Sequence, residues 1–87
     1  MIFCIDIGNT NIVSAKWNGE KYLDIERYDT TKYDSQNLDH INFNTLSKII
    51  ISSVVPNVTE QYILALKKKS NIIPFIVNHK NCQIKLN

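Results

Sequence analysis

Residues 2 to 7, Ile-Phe-Cys-Ile-Asp-Ile, are apolar in both alternating sets of positions except at Asp6. Such a run suits a strand covered on both faces, and it predicts a central strand closed by the turn Gly8-Asn9-Thr10-Asn11. Val13, Ala15 and Trp17 then alternate with Ser14 and Lys16. Asn18-Gly19 follows, which predicts a second strand ending in a two-residue type I′ hairpin turn. Lys21 to Tyr28 is the returning strand. Its Leu23 and Ile25 face one way and Asp24 and Glu26 the other, the pattern of a strand near a sheet edge with one wet face. Both glycines of the chain fall in these two turns, where positive φ or close backbone approach is wanted.

Asp29 to Asn44 is polar, and Phe43, Leu46 and Ile49 give a weak helical spacing, so a loop plus a short helix is expected there. Lys48 to Val55 is β-branched and almost wholly apolar, a buried parallel-type strand that Pro56 ends. Asn57 as N-cap with Glu60 three residues later forms a variant capping box. Val58, Tyr62, Ala65 and Leu66 then share one face of a helix reaching Lys69, stopped by Asn71 and Pro74. Ile72 to Val77 reads as the next strand, and Cys82, Ile84 and Leu86 alternate in a last one. The order βββαβαβ is that of an α/β domain with a mixed sheet. Repeats, low-complexity segments and interdomain linkers are not evident.

Composition narrows this picture. Eighty-seven residues suffice for a single domain, and 44% hydrophobic with 21% charged residues describes a chain that folds. The net charge is only +2, and the one basic run, Lys67 to Lys69, sits where a helix should end. Charge thus gives no support to a nucleic-acid or membrane partner. No apolar stretch approaches the roughly 18 residues that span a bilayer, and the first strand starts without a cationic flank or cleavage site. A cytoplasmic protein is expected. Cys4 and Cys82 then read as free thiols, and the sequon Asn57-Val58-Thr59 as coincidence. His40 and His79 each stand alone among polar neighbours, as surface histidines do. Trp17 and the tyrosines read as packing residues, with Tyr28 and Tyr33 placed to line a pocket near the polar loop.

Asp6 is the residue with chemical potential. A carboxylate in an apolar strand is costly to bury and needs a partner, and its place near the strand end sets it beside the Gly8–Asn11 turn. That turn offers successive backbone N–H groups and the side chains of Asn9, Thr10 and Asn11, all able to donate to anionic oxygens, while Asp6 can hold a hydrated Mg²⁺. This is the make-up of a phosphate-binding hairpin. The alternative is an Asx-type cap, in which Asp6 bonds its own turn and the Asn and Thr residues supply turn propensity. Spacing leaves both open.

Ile5-Asp6-Ile7-Gly8-Asn9-Thr10-Asn11, the Asn18-Gly19 hairpin, and Ile51-Ser52-Ser53-Val54-Val55-Pro56 ahead of a helix together resemble the N-terminal part of type III pantothenate kinases. The resemblance runs in order along nearly the whole chain. It implies a ribonuclease-H-like mixed sheet, the first lobe of an actin-like ATPase-type kinase, with residues 1–87 as the nucleotide-phosphate-binding lobe and the second lobe absent. It further implies that Asp6 belongs to the Mg²⁺ site and that Gly8, Asn9, Thr10 and Asn11 grip ATP. Ser53 and Pro56 would end a strand at the same sheet edge. The substrate implied is pantothenate, the partner a second copy of the same chain, and a monovalent cation is a further cofactor of full-length members. Members are about three times longer, and the base of the family lies in a Gly-x-Asp-Arg motif beyond the segment matching Cys82 to Leu86. No catalytic residue is therefore assigned to this chain, which is not expected to turn over by itself.

Two other classes compete with a kinase lobe. A noncatalytic remnant that binds nucleotide or a partner chain is compatible with the short length. A ribonuclease-H-like nuclease would need a further acid near the end of the next central strand to hold two metals, and Ile49 to Val55 offers only Ser52 and Ser53 as polar groups.

Overall fold

The apolar run at the N-terminus becomes the middle strand of a five-stranded sheet. The structure, a computed structural model, describes residues 1–32 and 38–78. Strands β1 (Ile2–Ile7), β2 (Asn11–Trp17), β3 (Tyr22–Asp29), β4 (Lys48–Ser53) and β5 (Phe75–Asn78) lie in the order β3-β2-β1-β4-β5. The first three are antiparallel neighbours, whereas β4 pairs parallel with both β1 and β5. Helix α1 (Pro56–Lys69) makes the crossover from β4 to β5. The expected mixed α/β sheet with a central first strand is what forms.

Register sorts the side chains onto two faces. Phe3, Ile5 and Ile7 align with Ile12, Ile49 and Ile51, and α1 lays Tyr62, Ala65 and Leu66 over them. Leu38 and Leu46, from the segment between β3 and β4, complete this core. Each fully buried isoleucine is worth about 1.5–3 kcal/mol of burial, so this face holds most of the stability. On the other face Cys4, Val13 and Ala15 form a smaller cluster, flanked by Ile2, Trp17 and Tyr22, to which α1 contributes nothing. Trp17 and Tyr22 pair across β2 and β3 with ring centroids 4.8 Å apart. Cys4 is a buried thiol, while Cys82, His79, Tyr33 and the expected strand Cys82–Leu86 lie outside the described residues.

Several local expectations are corrected. The β2–β3 connection is not a two-residue type I′ turn: Asn18 to Lys21 form the loop, closed by Asn18 N–H to the Lys21 carbonyl at 3.3 Å. The Asn18 side chain accepts the Glu20 and Lys21 amides at 2.8 and 2.9 Å, and Gly19 alone carries positive φ there, at 101°. A type I′ turn needs two such residues. In β3 the simple alternation also fails. The register slips between Ser14 and Lys16, which face Glu26 and Leu23, so β3 carries an extra residue opposite Ala15. Asp24 sits in this bulge at φ 51°, a conformation that a short polar side chain tolerates better than most. The bulge turns Ile25 out to solvent and tucks Glu26 and Tyr28 toward the core face.

The helix expected between β3 and β4 is replaced, among the described residues, by 3-10 turns at Thr30–Lys32 and Phe43–Thr45. Asn and Thr side chains there bond neighbouring backbone groups, as Asn42 Oδ1 does with Asn44 N–H at 3.1 Å, and that competes with a longer helix. Pro56 opens α1 rather than merely ending β4, and Val55, not Asn57, is the N-cap. Proline at the first helical position has its missing N–H where none is needed. No side chain caps this helix start; the Thr59 hydroxyl instead donates back to the Val55 carbonyl at 3.0 Å, beside the Thr59 N–H bond to the same oxygen at 3.1 Å. Lys67 to Lys69 occupy the last turn as anticipated, complementing the negative end of the helix. Strand β5 starts at Phe75, because Pro74 has no N–H to give the ladder.

Candidate functional site

The C-terminal ends of β1 and β4 and the β1–β2 hairpin meet at one edge of the sheet. Asp6 is half-buried and lies in a row across the sheet, opposite Val13 on β2 and Ser52 on β4. Its side chain shares the face of Cys4 and Val13, away from α1. Ser52 is 2% exposed. The carboxylate thus has a hydroxyl-bearing neighbour in register and no second acid on β4, the arrangement least suited to a two-metal nuclease. Among the described residues no group of three or more His, Cys, Asp or Glu side chains could hold a metal by itself.

Beyond Ile7, the Gly8 N–H donates to the Asn11 carbonyl at 2.9 Å and closes the hairpin, leaving Asn9 and Thr10 exposed at its tip. Gly8 is needed here for space rather than for φ. A Cβ on it would meet the Asn11 carbonyl oxygen at 3.2 Å, and its φ is not positive. All four predicted loop residues are brought together beside Asp6. Val54 N–H donates to the Ile7 carbonyl at 3.0 Å, which ties the strand end of β4 to the root of the hairpin.

Sequence reasoning missed one participant. Thr30, only 6% exposed, donates its N–H to the Thr10 carbonyl at 2.9 Å and its hydroxyl to the Gly8 carbonyl at 2.8 Å. The carbonyls of Gly8, Thr10 and Asn11 are therefore all occupied by protein donors on the inside of the hairpin. The available signal was alternation: Thr30 stands two residues after Tyr28, one position past the end of β3 and in phase with its inward-facing set. A second overlooked feature is the corner after β4, where the Val55 N–H donates to Ser53 Oγ at 3.0 Å and the Thr59 hydroxyl contacts the same Ser53 oxygen. Ser53 thus shapes the turn into α1 at this edge of the sheet.

Two titratable groups nearby are perturbed. Asp29, paired with Asn11 across the strands, accepts the Thr31 hydroxyl at 2.7 Å and the Thr31 N–H at 2.9 Å on Oδ1. Those bonds hold its carboxyl below the usual aspartate range. Tyr28 is pushed above the usual phenol range, first by burial and then by its hydrogen bond to Glu26, whose other oxygen meets His40. His40 is thus a paired surface histidine, and Tyr28 packs partly buried against the core cluster.

A mixed sheet in the order 3-2-1-4-5, opening with an antiparallel meander and continuing by parallel crossovers, is the α/β first lobe of actin-like kinases and their ribonuclease-H-like kin. The sequence profile of type III pantothenate kinases matches residues 2–87, and the chain belongs to that family. It is similar to the type III pantothenate kinase of Jannaschia sp. (strain CCS1), 31% identical over 94 residues, which covers 97% of this chain and 36% of that protein. The Ehrlichia canis (strain Jake) enzyme is 32% identical, again over 97% of this chain and 36% of its own length. That of Bifidobacterium animalis subsp. lactis (strain AD011) is 36% identical over 88% of this chain and 35% of its own. The chain therefore spans about a third of the relatives it matches. A solved translation termination-like factor of S. cerevisiae superposes with a TM-score of 0.63 at 11% identity, over 88% of this chain and 28% of its own, a likeness of fold alone.

Proposed function

We propose that this chain is the phosphate- and metal-binding lobe of a kinase that transfers the γ-phosphoryl of ATP to the hydroxyl of pantothenate, the first step of coenzyme A biosynthesis. The observation that carries this reading is the hairpin itself. With the carbonyls of Gly8, Thr10 and Asn11 engaged inward, its tip presents donors to solvent: the Asn9, Thr10 and Asn11 side chains and the adjoining amides. A strand-end turn built this way suits an anionic oxygen. Asp6, half-buried beside it with the Ser52 hydroxyl in register, offers the hard oxygen donors that Mg²⁺ takes, and a Mg²⁺ usually needs only one or two carboxylates beside substrate phosphates and water. When bound, that ion would neutralise charge on the transferred group. The residues of this chain would then hold the phosphates in place, which is most of what catalysis of phosphoryl transfer asks of a protein.

The loop residues offer no candidate base for the pantothenate hydroxyl, and their part in this reading is to bind and position the phosphates. A second copy of the chain as partner, use of a monovalent cation and a cytoplasmic location follow from the same reading. No helix of the described residues is long and apolar enough to cross a membrane.

Calorimetric titration of Asp6→Asn with magnesium ATP, beside thermal unfolding, tests the proposal. Asn keeps the shape and loses the charge, so nucleotide affinity should fall by more than about tenfold while the melting temperature holds. Equal binding by the variant would remove Asp6 from the metal site, and an unfolded variant would make it a turn cap. A coupled assay of the 87-residue chain with pantothenate should show no turnover. Robust turnover would show that the base lies within the chain.

A further inference from the structure

We propose that Thr30 is the positioning residue of the phosphate hairpin, setting the outward aim of its donors from the far side of the sheet edge. The inference rests on the reading of Gly8–Asn11 as a phosphate loop and adds a residue outside that motif. Thr30 lies at the start of the 3-10 turn that follows β3, and its backbone and side chain grip the two carbonyls that flank Asn9, those of Thr10 and Gly8, at 2.9 and 2.8 Å. A peptide plane has its C=O and N–H on opposite sides, so fixing the carbonyl oxygens of Gly8 and Thr10 also fixes where the N–H groups of Asn9 and Asn11 point. The hydroxyl bond is the part that depends on residue type, since any non-proline residue could supply the amide.

Burial makes the bond consequential. At 6% exposure the Thr30 hydroxyl has little water to fall back on, and removing it strips the Gly8 carbonyl of its donor in the same place. The β-branched methyl adds stiffness, because Thr has few χ1 states open to it. Asp29 and Thr31 on either side are tied to each other, at 2.7 and 2.9 Å, which keeps the short turn and hence Thr30 in place. The hairpin is therefore clamped by a second segment distant in sequence, and its donor geometry exists before any anion arrives.

Three forms of the 87-residue chain separate the clamp from simple stability: wild type, Thr30→Val and Thr30→Ser. Valine keeps shape and loses the hydroxyl, whereas serine keeps the hydroxyl. Amide hydrogen exchange by NMR should show the Gly8 amide exchanging faster by about fivefold in Thr30→Val, with β1 and β4 amides unchanged and Thr30→Ser close to wild type. Titration with magnesium ATP should follow the same order, weaker by about fivefold for valine and restored by serine. Wild type that binds with Thr30→Val matching it overturns the assignment of Thr30 alone. Wild type that binds no magnesium ATP overturns the phosphate-loop reading itself, and the Thr30 proposal with it, whatever the exchange data show. General loss of protection across the sheet in Thr30→Val, unrepaired by serine, would make Thr30 a structural residue and also overturn the proposal.

Discussion

Replacing Gly8 by alanine sets two effects of known size against each other. Because Gly8 does not have positive φ, alanine can adopt its backbone, and the stiffer unfolded chain would by itself raise stability by about 0.4–1 kcal/mol. Against this, the new Cβ would lie 3.2 Å from the Asn11 carbonyl oxygen, several tenths of an ångström inside a comfortable contact. That oxygen is not free to yield. It accepts the Gly8 N–H at 2.9 Å, and the adjacent carbonyls of Gly8 and Thr10 are held by Thr30. Overpacking against a fixed partner costs about 1–3 kcal/mol, so the contact outweighs the entropy and the net loss is about 1 kcal/mol. For a domain of this size that is a drop of about 4–8 °C in melting temperature, read by far-ultraviolet circular dichroism. Valine, with two further carbons at the same place, should lose more. Magnesium ATP affinity should fall in both, since the hairpin must open to admit the side chain. A Gly8→Ala chain that melts at or above the wild-type temperature would show that the hairpin is loose, and the argument for a preset phosphate loop would go with it.

Gly19 offers the converse case: nothing lies within 4 Å of an added Cβ, but φ is 101°. Gly19→Ala should therefore lose about 1–3 kcal/mol of stability in urea unfolding with nucleotide binding intact, and an unchanged midpoint would refute the conformational argument. Tyr28 supplies a pH dependence. Its phenol is held above the usual range in the fold, so the folded state keeps the proton more tightly than the unfolded chain. The associated stability is complete below the unfolded value of about 10 and is lost as pH rises through it toward the higher folded value. Unfolding free energies across that range should fall more steeply for wild type than for Tyr28→Phe, and parallel curves would count against the buried, Glu26-bonded phenol.

Much of the sheet was legible because its strands differ in pattern. A run apolar on both faces becomes the central β1, the β-branched run Lys48–Ser53 becomes its parallel neighbour, and the placement of glycine marks both turns. The carboxylate and its polar turn were likewise visible, since a charge inside an apolar strand stands out. What escaped depends on partners distant in the chain. In the sequence Asp24 is one step of an alternation, and the extra residue opposite Ala15 becomes visible only once β2 and β3 are paired. Thr30 looked like any threonine in a polar stretch, because its two acceptors lie twenty or more positions earlier. The capping box at Asn57 was a sound local rule overridden by another, the preference of Pro56 for the first helical position.

The bulge at Asp24 also governs how the sheet behaves toward other strands. An outer strand that is straight and regular offers a row of unused amides and carbonyls onto which a foreign strand can zip. In β3 that row is broken in its middle, with the two halves phased differently and the edge twisted between them. Lys16 reaches Asp24 at 3.4 Å, placing a charge pair at the break. An incoming strand could match one half of β3 or the other but not both in a single register. Among the described residues the outer flank of the meander is thus a poor template for strand addition at the very point where Ile25 is exposed.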